Sequence, residues 1–413
     1  MPKLAVLDTD SSPLSSVPPS VPPQMDGPHL LDATLFWGAA GGVRRVLGAK
    51  HQGLNRLGWR HTVMAPGAKG RGQIDCGGVT LPFSGGYRLL LRKGHAARLI
   101  ERARPDIVEA ADPYTLAWAV LRATARLGVP AVAFCHSNLP AVAERMFGEG
   151  MGARARDYLV RLYSHFDMVL APSRGLTAAL QSWGVHHAAH QPLGVDCDVF
   201  NPDAAEPAWR HGLVKRLGLD PRTQLVVYSG RFAPEKDLQL LADAVGRLGP
   251  GHALLAVGSG PCPPQGRHVR LLPTETDSRR LARLLASCDA YAHAGEQETF
   301  GLGALEAMAC GTPVVTAATG GLGELVEGVG TRVDSDGPAE WAEALQACLG
   351  NQGGEPRRQA ELALQRALQH DWRVILPQLS RRYLRLTGRL THAPHAPAPV
   401  AGPIAGLTGS VAR

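Results

Sequence analysis

The chain has 413 residues, 45% hydrophobic and 19% charged, an ordinary globular balance and enough for two domains of about 100–200 residues each. Its formal net charge of +7 is carried by arginine with only six lysines (3, 50, 69, 93, 215, 236), which favours anionic partners such as a nucleotide diphosphate or an acidic lipid surface. No apolar run reaches the roughly 18 residues of a spanning helix, and no basic stretch interleaved with aromatics offers a nucleic-acid platform. Seven scattered cysteines without a C-x-x-C pair argue against a disulfide framework or zinc site and point to a reduced, cytosolic protein.

Residues 1–27 are Ser/Pro-rich and lack periodicity, as expected of a disordered extension, and the apolar core at the start is too short for a signal peptide. The first strand is expected at 30–37. It runs into a glycine loop that opens a helix, where Gly41 and Gly42 let the backbone turn tightly and approach a ligand; the spacing is not G-x-G-x-x-G. A strand at 61–65 and a poorly patterned stretch to 91 precede a basic helix at 94–104. Arg92, Lys93, Arg98, Arg102 and Arg104 there fit either a solvated face or an anionic membrane surface. Strand 106–111, helix 115–127, strand 130–135, helix 153–165, strand 167–171, helix 174–183 and strand 188–193 continue the alternation. Such a series predicts a parallel, doubly wound sheet with its ligand edge at the strand C-termini. His136 directly follows the apolar strand AVAFC, at that edge, where it fits a structural hydrogen bond or a substrate contact. His186, His187 and His190 lack a completing carboxylate or thiolate, and no metal is expected at them.

A polar, Pro-containing link (NPDAAEPAWR) leads to a second α/β series. Strand 224–230 runs into RFAPEKDLQLL, where Arg231 and Lys236 flank a helix entry; fixed cations there can neutralise a leaving diphosphate. Strand 253–261 ends in Gly258 and Gly260, a loop suited to lie along a nucleotide, and strand 268–273 and helix 278–287 follow. The stretch YAHAGEQETFGLGALEAMACGTPVV (291–315) reads as strand, glycine-broken loop, helix and strand. The helix begins near Phe300 or Gly301, ahead of Leu302, and stops at Gly311 with Pro313 beyond. Its N-terminus is an anion site. Glu298 precedes the helix and Glu306 lies eight residues on, so a diphosphate between a ribose and a sugar fits the layout. A glycine-entered helix with solvated glutamates fits the bare spacing too. Segment 317–328 adds a loop with Gly320 and Gly321, helix 338–349 follows, and helix 371–388 carries Pro377, expected to bend it. The Pro/Ala-rich remainder is expected to be disordered.

The string ETFGLGALEAMACGTPVV, with GRFAPEK and PLGVDCDVFNP, closely resembles the signature of the retaining, family-4 glycosyltransferases of the GT-B fold (glycosyl transferases group 1, mannosyltransferase-like), over about 30–390. The resemblance implies an α/β, GT-B architecture of two Rossmann-like, doubly wound domains facing across a cleft. The acceptor domain would span 28–197 and the donor domain 198–372, with a helix at 373–390 returning to the first domain and a tail at 391–413. It implies transfer of a hexose from a GDP- or UDP-sugar to an acceptor hydroxyl, with retention, by front-face attack assisted by the leaving phosphate, and with neither cofactor nor metal. The basic first domain adds the expectation of a sugar or lipid-linked acceptor in cell-envelope polysaccharide or glycolipid synthesis, with peripheral contact at the inner face of the membrane; the cysteines point to a cytoplasmic location and the composition to no nucleic-acid partner. On the matching positions, His136 and Glu298 would orient the sugar and Arg231 and Lys236 would stabilise the diphosphate. Gly41, Gly42, Gly258, Gly260, Phe300, Gly301, Leu302, Glu306, Gly320 and Gly321 would bind the donor. The family's usual Pro-Ser before the first glutamate is replaced by His293-Ala294-Gly295. A GT-B epimerase or phosphorylase and a non-catalytic nucleotide-binding partner protein are the other readings.

Overall fold

A computed structural model describes residues 27–37, 42–80, 88–90, 93–350 and 354–389. Short apolar runs alternate with amphipathic helices, and the strands collect into two parallel sheets. The first contains β1 (His29–Ala33), β2 (Arg60–Ala65) and β3 (Gln73–Asp75). The pair β4 (Val79–Thr80) and β5 (Arg88–Leu89) forms a separate antiparallel ribbon. The first sheet is completed by β6 (Ile107–Ala110), β7 (Ala131–Phe134), β8 (Met168–Ala171) and β9 (Ala188–His190), in the order β3-β2-β1-β6-β7-β8-β9. The second holds β10 (Gln224–Arg231), β11 (His252–Ser259), β12 (Val269–Leu272), β13 (Ala290–His293), β14 (Val314–Ala317) and β15 (Thr331–Val333), in the order β12-β11-β10-β13-β14-β15. In each sheet the winding reverses beside one strand, between β1 and β6 and between β10 and β13. Ligands of doubly wound sheets settle outside the strand C-termini at such points.

Both sheets are covered on two faces, so neighbours along a strand enter different cores. Leu31, Ala33 and Val108 pack with the helix Thr115–Leu127. Leu30, Ile107 and Val132 point the other way, into a core shared with Leu376, Leu379 and Tyr383 of the last helix. In the second sheet Val226 and Leu254 face one side, and Val227 and Leu255 the other.

That last helix, Trp372–Leu386, follows the second sheet but packs on the first. Trp59 Nε1 donates to Ser380 Oγ at 2.8 Å, and the Tyr383 hydroxyl donates to the Glu109 carboxylate. The helix runs through Pro377 without ending. Where the chain crosses between the domains, Val195 N–H donates to the His370 carbonyl at 2.9 Å and Trp372 N–H to the Val195 carbonyl at 3.0 Å, pairing the two crossings. Beneath the helix lies a buried charged network. Lys50 Nζ sits 2.9 Å from Asp32 Oδ1 and 2.7 Å from Glu109 Oε1, and His61 Nε2 is 2.7 Å from Asp32 Oδ2. Burial pushes the Asp32 carboxyl up, but Lys50 and His61 outweigh it and hold it low; at Glu109 burial prevails and the carboxyl is pushed up to about 7.

Several expected elements change. The first strand stops at Ala33, because Leu35 N–H turns to Asp112 Oδ2 at 2.6 Å and the chain leaves the sheet. Three helices are additional: Leu139–Phe147, Pro207–Arg216 and Glu355–Gln369. Each has a proline in its first two positions, a residue that reads as a linker but is pre-set for a helix start. The helix expected at 153–165 runs Glu149–Tyr163. The basic helix, Lys93–Ala103, buries Ala96, Ala97 and Ile100. Among the described residues no helix is long and apolar enough to cross a membrane. The expectations for 1–26, Gly41, Arg92 and 391–413 fall outside the described residues.

Candidate active site

β13 ends at His293, and a loop carries the chain to the helix Leu302–Ala309. Gly301 caps that helix with φ +96°, and a Cβ there would collide with the Leu322 side chain, so only glycine makes this entry. A Cβ on Gly303 would lie 2.5 Å from the Tyr291 hydroxyl. From the first domain the start of the helix Gly42–Arg56 comes up to the same place: a Cβ on Gly42 would sit 3.7 Å from Leu302 Cδ2. The tight entry leaves the first turn of the helix facing the first domain at the β10/β13 reversal.

Glu306 is the fifth residue of this helix and only 2% exposed. Its Oε1 lies 3.2 Å from Arg45 Nη1 of the first domain, and its Oε2 has no hydrogen-bond partner among the described residues. Burial pushes the carboxyl up, and Arg45 counters only part of that. A buried oxygen with unused acceptor capacity forfeits about 1–3 kcal/mol of solvation, so it marks a place where a ligand hydroxyl is wanted.

Glu298 lies in the loop and forms an ion pair with Lys236; His293 Nε2 is 3.7 Å from the same carboxylate oxygen. Burial raises the Glu298 carboxyl, yet the Lys236 ammonium outweighs it and holds it at about 2, so it is ionised. His293 stacks on Tyr228 with ring centroids 5.3 Å apart, and burial lowers its imidazole to about 4, leaving it neutral. Lys236 ends the short turn Pro234–Lys236, just past Arg231 at the end of β10. Arg231 Nη2 sits 3.0 Å from Glu235 Oε1, with much of the guanidinium exposed. Arg231, Lys236, Glu298 and the helix entry are thus gathered at one sheet reversal.

The first domain closes over this group. The His136 ring stacks on Phe134 with centroids 4.2 Å apart, and burial together with the charge of Lys50 lowers it to about 3. Its carbonyl accepts from Thr299 Oγ1 at 2.8 Å, which ties its loop to the Glu298 loop. Arg145 Nη2 donates to the Pro234 carbonyl at 3.0 Å. Glu324 accepts from Arg174 N–H and Gly175 N–H, at 2.9 and 3.0 Å, at the start of the first-domain helix Arg174–Ser182.

The remaining glycines act on the chain itself. A Cβ on Gly258 or Gly260 would overlap the carbonyls of Gly230 or Phe232, and one on Gly320 would lie 2.6 Å from the Glu296 carbonyl. Gly321 packs on the Thr299 backbone and donates to the Glu298 carbonyl at 2.7 Å. Gly258 and Gly260 let the loops at the ends of β10 and β11 nest, and Gly320 and Gly321 clamp the Glu298 loop. Phe300 is buried against His370, with centroids 5.7 Å apart. Arg45, Thr299, His293 and Glu324 were not anticipated from sequence; for Arg45 the signal was its place one turn into a helix entered through glycines. Among the described residues no group of three or more His, Cys, Asp or Glu is arranged to hold a metal ion.

Comparison with known proteins meets this geometry. Residues 40–199 match Glycosyltransferase Family 4 and residues 223–351 match Glycosyl transferases group 1. A GDP-mannose-dependent alpha-mannosyltransferase of Mycolicibacterium smegmatis is 32% identical over 293 residues, 69% of this chain and 75% of the relative. The chain belongs to glycosyltransferase family 4. A GDP-mannose-dependent alpha-(1-6)-phosphatidylinositol dimannoside mannosyltransferase of Mycobacterium tuberculosis is 30% identical over 256 residues, 60% of this chain and 65% of that protein. The fold matches a crystal structure of Anabaena HepE in complex with UDP and glucose, at TM-score 0.69 and 21% identity over 86% of this chain and 98% of that one. The glycosyltransferase therefore has the expected α/β, GT-B fold.

Proposed function

We propose that this family-4 enzyme transfers a mannosyl group from GDP-mannose to a hydroxyl of a lipid-linked or glycan acceptor of the cell envelope, retaining the anomeric configuration without a metal ion. One observation carries the reading: the buried Glu306, with its unused Oε2, stands one turn inside a helix whose N-terminus opens beside Arg231 and Lys236. A carboxylate for a diol next to a paired-cation anion site suits a nucleoside diphosphate. The GDP-mannose dependence of the relatives favours guanine and mannose, and the lipid substrate in the name of one favours a glycolipid acceptor. Such an acceptor puts the enzyme at the inner face of the membrane, where the basic helix Lys93–Ala103 suits anionic lipid.

In this reading the ribose hydroxyls donate to Glu306. The diphosphate lies on the helix N-terminus with Arg231 and Lys236, which stabilise it as it leaves. Glu298 accepts from the sugar hydroxyls once Lys236 turns to phosphate, and His136 borders the sugar from the first domain. The acceptor oxygen bonds to the anomeric carbon as the bond from that carbon to the phosphate oxygen breaks. The acceptor proton passes to the departing phosphate, giving the glycoside and GDP. Calorimetric titration with GDP, UDP and ADP, followed by GDP-mannose and a phosphatidylinositol mannoside, tests this. Selective GDP binding that weakens in Glu306→Ala, with an α-linked product, supports it; failure to bind any of the three nucleotides overturns it.

A further inference from the structure

The reading of Glu306 leaves its partner unexplained. Arg45 stands on the helix Gly42–Arg56 of the first domain, yet its Nη1 reaches Glu306 Oε1 of the second at 3.2 Å. Its Nε is also buried, and like Glu306 Oε2 it has no hydrogen-bond partner among the described residues. One donor and one acceptor, from opposite domains, are thus left unused a few ångströms apart. Each hydroxyl of a cis-diol is both a donor and an acceptor. A carboxylate satisfies only the first capacity and a guanidinium only the second. The pair presents both, and it does so only while the domains are closed.

We propose that Arg45 is a specificity-determining residue for the donor, donating to a ribose hydroxyl that itself donates to Glu306. The inference rests on the reading of Glu306 as the ribose acceptor. It adds two consequences. The enzyme distinguishes ribose from its deoxy forms through both domains, and a bound ribose holds the domains together, because neither half of the pair can complete the diol's bonds alone. The opposite possibility is that Arg45 only neutralises Glu306 in the empty cleft and must be displaced by the donor.

The experiment titrates GDP, 2′-deoxy-GDP and 3′-deoxy-GDP into wild type, Arg45→Met, Arg45→Lys and Glu306→Gln. Loss of a charged hydrogen bond predicts that Arg45→Met binds GDP about tenfold more weakly. The variant should also lose most of its preference for GDP over one deoxy analogue, and Arg45→Lys should recover part of both. Unchanged or tighter GDP binding by Arg45→Met, with the deoxy preference intact, overturns the proposal. If Glu306→Gln weakens GDP binding while Arg45→Met does not, only this inference fails. If Glu306→Gln also leaves GDP binding and the deoxy preference unchanged, the ribose reading fails with it. Should Arg45→Met not fold, the wild-type deoxy ratio and Arg45→Lys still decide: a wild type indifferent to both deoxy analogues overturns the proposal.

Discussion

Replacing Lys50 with methionine removes one ammonium and almost no volume from a site that is 2% exposed. It leaves Asp32 and Glu109, 0% and 1% exposed, facing the space where Nζ stood, with Asp32 keeping His61 and Glu109 keeping the Tyr383 hydroxyl. Removing one member of a buried charge network costs about 3–5 kcal/mol. We expect Lys50→Met to lose that much in urea unfolding at pH 8. The loss should shrink as pH falls. Glu109, already raised to about 7 by burial despite Lys50, rises further without it. The native variant then binds a proton that the unfolded chain, with an ordinary carboxyl near 4.5, does not. Its stability relative to wild type therefore increases from pH 8 toward pH 5. The double variant Lys50→Met/Glu109→Gln should recover at least half of the loss at pH 8. A loss below about 1 kcal/mol at pH 8, or a loss that grows on acidification, would refute the reasoning.

Arg231→Ala should lower kcat on the order of tenfold or more, with a smaller change in donor KM, because the guanidinium acts on charge that develops as the diphosphate leaves; an unchanged kcat counts against that role. In His293→Phe the buried imidazole no longer resists protonation. Wild type, whose His293 sits near 4 rather than 6.5, should lose up to about 3 kcal/mol relative to the variant as pH falls from 6.5 to 4, read by unfolding at both ends. Gly301→Ala forces a side chain into φ +96° and against Leu322, so donor affinity should fall in calorimetry. Gly212→Ala, in open space on the helix Pro207–Arg216, should be neutral or stabilising by about 0.5–1 kcal/mol. Thr299→Val deletes the bond to the His136 carbonyl, and a rise of a few-fold in donor KM at constant fold is the expected reading.

The alternation of apolar runs and helices made both sheets legible, because a strand buried on two faces has little freedom in composition. Arg231, Lys236, Glu298 and Glu306 were singled out through the family signature rather than through spacing, and the parallel topology gathers them at one sheet reversal. What spacing did not reveal are contacts between distant stretches. Nothing local distinguishes Lys50 from a solvated lysine or Glu109 from an edge carboxylate, and their burial follows from a helix far along the chain. Arg45 is hidden in the same way, since its partner belongs to the other domain. Pro207 misled in the opposite sense: it lies in the stretch NPDAAEPAWR that reads as a link, yet it opens the helix Pro207–Arg216. Gly320 and Gly321 resembled a ligand loop, while the backbone they admit is that of residues 296–299.

The helix Trp372–Leu386 sets an order on biosynthesis. The first sheet leaves the ribosome early, but Ser380 for Trp59, Tyr383 for Glu109 and the leucines that cover Leu30 and Leu54 are translated after the whole donor domain. Until then one face of the first domain is exposed and its charged centre incomplete. A frameshift or stop codon after the last strand would leave intact every residue assigned to the nucleotide sugar and still strip Trp59 and Glu109 of their partners Ser380 and Tyr383.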